Sequence, residues 1–95
     1  MNVELQALWN VHREAGWPPM STPHEGELMT LDTVVSGCAL YFFDTQESLD
    51  FPRIDLLQTC VQELDDLLPE LSGECLDYFV RLRMLAELLL GTTQR

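Results

Sequence analysis

Twelve of the sixteen residues from Cys75 to Leu90 are apolar. No other stretch of the chain restricts its fold so strongly. Counted at about 100° per residue, these residues make two separate arcs on a helix. Cys75, Tyr78, Phe79, Leu82, Ala86 and Leu89 form the first; Leu76, Val80 and Met84 form the second. Glu74, Asp77 and Arg81 separate the arcs on one side. Arg83 and Glu87 separate them on the other, four residues apart and able to pair. A helix apolar on two sides is buried against two neighbours. In a chain of 95 residues, one side meets the chain's own core and the other meets a second copy. The pattern predicts a helix over 73–90, closed by Gly91, with a dimer contact through Leu76, Val80 and Met84.

Upstream, Ile54, Leu57, Val61, Leu64, Leu68 and Leu71 step by three and four in turn, a seam of the coiled-coil type. Leu56, Cys60 and Leu67 widen it on one flank. With Asp50 as cap and Pro52 in the first turn, a helix is predicted over 51–68. The turn "PELSG" is short, so this helix and the last form a hairpin. A further start signal lies at Thr22-Pro23-His24-Glu25, with Thr as cap, Pro first and Glu third. From it a helix runs over 23–43, with Leu28, Leu31, Val35, Cys38, Ala39 and Phe42 on one narrow stripe. The β-branched and aromatic content of "TVVSGCALYFF" would also suit a strand. Alternation is poor there and the stripe begins upstream at Leu28, so a helix is favoured. The first helix is expected over 3–15, capped by Asn2 and ended by Gly16, with Leu5, Leu8, Trp9 and His12 on one side. The expected fold is all-α: one domain, a small antiparallel bundle of about four helices. The first helix could sit peripherally on a core of the other three.

Charge narrows the function classes. Sixteen acids face five bases, all of them Arg, for a formal net charge of −11. Phosphate recognition relies on Lys and Arg displacing counterions, so nucleic-acid binding is disfavoured, and anionic membranes repel the chain. The longest apolar tract, Val34 to Phe43, is broken by Ser36 and Gly37 and falls short of the ~20 residues that span a bilayer. "MNVELQ" does not resemble a signal peptide. Three cysteines with no Cys-x-x-Cys spacing read as reduced core thiols, and a cytoplasmic location is expected. From Asp44 to Glu70 there are eight acids and one base, a net of −7. Glu63, Asp65, Asp66 and Glu70 cluster at the end of the third helix. They read either as a solvated face or as a docking surface for a basic protein. Acids at a helix C-terminus oppose the macrodipole, which argues for a use.

Catalytic and metal signals are weak. No two His share a helix face, and no Glu-x-x-His is present. The cysteines sit among Leu, Val and Phe, where thiols are inert. His24 reads as surface, and His12 as a hydrogen-bonded histidine at the core edge. No enzyme activity, cofactor or metal is expected. Two more contact candidates remain. Trp17 should fold back over the helix ends as a plug, and becomes a binding hot spot if exposed. Gly26, Thr30, Thr33 and Gly37 stack opposite the core stripe of the second helix. They are either solvated or closely approached by the first helix or a partner chain. The order of a capped helix, a Gly-Cys helix, an acidic helix and a Leu-rich helix is similar to that of small bacterial helical proteins. It carries no motif from which a function follows. The expected function is a non-catalytic acidic interaction module, homodimeric, docking a basic protein. The alternative is a small-molecule or metal-binding bundle, with its ligand between helices near His12, Cys38 and Cys60.

Overall fold

A helix leaves its first N–H groups without internal partners, so its start is placed by whatever can accept from them. In the computed structural model, which describes residues 2–45 and 48–93, two helices start from the side-chain caps that the sequence predicts. In α1 (Val3–Glu14) the Leu5 N–H donates to Asn2 Oδ1 at 2.9 Å. In α3 (Phe51–Leu67) the Arg53 N–H donates to Asp50 Oδ1 at 3.2 Å, and its guanidinium donates to Asp50 Oδ2 at 2.7 Å.

The start of α2 (Glu25–Asp44) is shifted two residues from the expected 23. Thr22 Oγ1 accepts from the His24 N–H at 3.2 Å, which closes a tight turn ahead of the helix. A threonine that bonds two residues onward makes a turn instead of a cap. Pro23 therefore sits in the turn, and His24 stands at the cap position with no side-chain bond to the backbone N–H groups of the helix. The last helix, α4 (Gly73–Gly91), also starts without a side-chain cap. Gly73 enters it at φ +60°, a conformation that favours glycine.

Two helix ends depart from expectation. α1 stops with Ala15 in an extended conformation, and Gly16 does not cap it. Pro18 and Pro19 follow in the loop and cannot continue a helix. Gly91 is the last residue of α4 rather than a left-handed cap. Thr92 and Thr93 close the end instead, their hydroxyls donating to the Leu89 and Leu90 carbonyls at 2.6 and 2.8 Å.

The described residues form an all-α bundle of four helices with no strand. α3 and α4 make the expected hairpin, joined through a 3₁₀ turn at Leu68–Glu70. α4 packs against α1, α2 and α3. Its first arc is buried throughout, together with Leu85 and Leu90. All six stripe residues of α2 are buried. On α3, Leu57, Val61 and Leu64 are buried, but Leu56 is 49% exposed and does not widen the seam. It faces outward beside a groove between α2 and α3. α1 is no peripheral addition. It packs on α4 with Leu5 fully buried and Trp9 nearly so. No helix among the described residues is long and apolar enough to cross a membrane. Glu47, one of the eight acids of the 44–70 segment, and Gln94 and Arg95 of the tail lie outside the described residues.

The caps lead to a direct comparison. Asp50→Ala should lower stability by about 1 kcal/mol in urea unfolding, as loss of an N-cap does. Thr22→Ala, which frees no helical N–H, should lose well under that. Equal losses would contradict the shifted start of α2.

Candidate interaction surfaces

The outer face of α4 carries the second apolar arc. Leu76 is half-buried, while Val80 is 40% and Met84 52% exposed. The expected Arg83–Glu87 pair does not form. Arg83 Nε donates to Asp65 Oδ1 at 2.7 Å and Nη2 donates to Oδ2 at 3.4 Å, tying α4 to α3. A carboxylate across the hairpin meets the guanidinium fork on two atoms, and a helical neighbour offers no such alignment. Glu87 stays exposed. On the other edge, exposed Asp77 and half-buried Arg81 have no oppositely charged group within 4.0 Å among the described residues. Arg81 Nε is buried without an acceptor, and the guanidinium lies 5.2 Å from the centre of the Tyr78 ring.

Trp17 is both plug and surface. Its ring stands edge-on to Tyr78 and Phe79, with centroids 5.6 and 5.8 Å away, and its Nε1 donates to Glu25 Oε2 at 3.3 Å. It is nevertheless 39% exposed and walls a cleft of about 320 Å³ with Pro18, Pro19 and Arg81. The small-residue stripe of α2 lies elsewhere. Thr33 and Gly37 are exposed, beside the α2–α3 groove. A Cβ added at Gly26 or Gly37 would meet nothing within 4 Å, so the first helix is not the backbone that approaches this stripe. The Thr30 and Thr33 hydroxyls turn back to the Gly26 and Met29 carbonyls at 3.1 and 2.9 Å.

The acidic cluster is partly occupied. Asp65 is held by Arg83, and Glu70 Oε1 accepts from His24 Nε2 at 3.1 Å. His24 Nδ1 reaches Glu27 Oε1 at 3.4 Å. His24 therefore bridges the start of α2 to the α3–α4 turn. Hydrogen bonds to Glu70 and then to Glu27 raise its pKa above the ordinary 6.5. Glu63 and Asp66 are exposed and have no cation within 4.0 Å among the described residues. They are what remains open of the four.

Polar chemistry inside the bundle centres on Asp32, which the sequence reading missed. Its position beside Leu28 and Leu31, at the edge of the α2 stripe, is the signal that was available. Asp32 Oδ1 receives His12 Nε2 at 2.8 Å and Oδ2 receives the Tyr78 hydroxyl at 3.0 Å. A carboxylate only accepts, so Nε2 carries the proton. Burial, and then the charge of Asp32, push the Tyr78 pKa up, so its hydroxyl remains a donor. The arrangement ties α1, α2 and α4 at one point. The thiols of Cys38, Cys60 and Cys75 are free and buried. Desolvation raises all three pKa values, that of Cys60 to about 11. Protonated thiols are poor nucleophiles and poor ligands. Among the described residues, no three His, Cys, Asp or Glu side chains are grouped to hold a metal.

Comparison with known protein families, with characterised proteins and with solved structures gives no match. Function is therefore argued from these surfaces alone.

Asp32→Ala orphans two buried donors and should cost about 2–4 kcal/mol in chemical denaturation. A loss below half a kcal/mol would remove the structural role of Asp32. The raised pKa of His24 implies a contribution to stability that is fully present below pH 6.5. That contribution is lost as pH rises through the raised value. Glu70→Gln should bring the His24 titration, followed by NMR, back toward 6.5. The three thiols should resist an aromatic disulfide reagent in the native state and react together on unfolding.

Proposed function

We propose that this chain is a non-catalytic, acidic helical interaction module. It self-associates through the outer face of α4 and docks a basic protein through the end of α3. The observation that carries this reading is the exposure of Val80 and Met84 on the outer face of α4, with half-buried Leu76 beside them at the edge of the core. Burial of such side chains is favourable by about 25 cal/mol per Å², and a second copy is the surface always at hand. The basic partner is supported by Glu63 and Asp66, which have no cation within 4.0 Å among the described residues, and by the net charge of −11. The same charge disfavours nucleic acid. Buried free thiols suit a reducing compartment such as the cytoplasm.

Light scattering tests the self-association. The protein should be a dimer at micromolar concentration, and Val80→Glu should give a monomer with an unchanged helical circular-dichroism spectrum. A strict monomer would end the role assigned to the α4 face. For the basic partner, affinity capture from the native host is compared at low and high salt. The captured protein should be lost at high salt, and also lost to Glu63→Gln/Asp66→Gln at low salt. Capture indifferent to both would end the role assigned to the acids.

A further inference from the structure

We infer that two copies meet through α4 as an antiparallel pair with its two-fold axis at Val80, and that Asp77 of each copy binds Arg81 of the other. The inference rests on the reading of the α4 outer face as a dimer contact and adds the arrangement of the two chains. Leu76 and Met84 lie four residues to either side of Val80. An antiparallel pair centred on Val80 therefore lays the stripe on itself, Leu76 against Met84 and Val80 against its own copy. A two-fold interface must be self-complementary in this way.

The charges select the same arrangement. In an antiparallel pair, each edge of the stripe lies along the same edge of the other copy with its order reversed. The Asp77–Arg81 edge then places one Asp77 beside one Arg81, twice by symmetry. Neither side chain has an ionic partner within 4.0 Å in its own chain among the described residues. A parallel pair would lay the Asp77 edge along the Arg83 edge, whose guanidinium Asp65 already holds. It would also align the two macrodipoles, which the antiparallel pair opposes. A further contact follows from the register. Glu87 comes opposite the start of α4 in the other copy, where no side chain caps the helix and Gly73 has no side chain to obstruct it. A carboxylate is favoured at such an end.

Charge exchange between chains tests the register. Asp77→Arg and Arg81→Asp, each alone, should weaken the dimer by about tenfold in sedimentation equilibrium. Mixed together, the two variants should form a heterodimer within about threefold of the wild-type affinity. Each variant chain keeps like charges at 77 and 81, so the recovery has to come from contacts between chains. No recovery, with the wild type dimeric and Val80→Glu monomeric, would overturn the register and leave the interface standing. A monomeric wild type would overturn both. A second measurement is independent of Arg81, whose replacement could disturb the Tyr78 ring. Leu76→Cys and Met84→Cys chains, mixed and oxidised with glutathione disulfide, should cross-link as a heterodimer. Cross-linking of each variant only with itself would mark a parallel pair and overturn the inference.

Discussion

The bundle depends on one helix being contacted by the other three. α4 packs against α1, α2 and α3, and its buried residues include Phe79, Leu82, Leu85, Ala86 and Leu89 with no exposed surface. A chain of this length has room for one modest core, and here that core is organised around α4. Three neighbours do not close the circle around a helix. In the open sector Val80 and Met84 emerge, with Leu76 half-buried at its edge. A polar residue in each of those places would complete an ordinary amphipathic helix. The apolar character of Val80 and Met84 is therefore a property of the surface, whereas Leu76 also serves the core.

Hydrophobic period made most of the architecture legible. All six residues of the α2 stripe are buried, as are Leu57, Val61 and Leu64 of the α3 seam. The period fails for Leu56, because it describes one helix and not the direction from which neighbours arrive. Local signals were less faithful than periodic ones. Thr22, Pro23 and Glu25 have the spacing of a capping box, yet the threonine hydroxyl finds the His24 N–H two residues on and makes a turn. The candidate surfaces were legible as lists of residues and not as partnerships. Arg83 prefers Asp65 across the hairpin to Glu87 on its own helix, and Glu70 is bridged to His24 from 46 residues away. Such choices are made by tertiary approach, which spacing along the chain does not encode.

The buried polar contact explains how a core rich in leucine holds one arrangement. Apolar side chains tolerate small rotations of their helices with little change in burial. Asp32 does not, because it must meet His12 of α1 and Tyr78 of α4 at once, and each of those donors is buried. The Tyr78 ring also lies against Trp17 and beneath the Arg81 guanidinium. The rotation of α4 set by Asp32 is consequently the rotation that turns Val80 outward. Interior chemistry and surface chemistry share one helix, and the first orients the second.

The packing of α1 on α4 bears on how the chain is made. Synthesis delivers α1 first and α4 last of the four helices, so Leu5 and Trp9 leave the ribosome long before the helix that buries them. The α2–α3 contact and the α3–α4 hairpin join near neighbours in sequence, whose contacts close short loops. α1 instead waits for α4, and His12 waits with it for Tyr78 to join Asp32. Until α4 is made, the nascent chain carries an uncovered Trp9 face, which is the feature a chaperone that recognises apolar segments would meet.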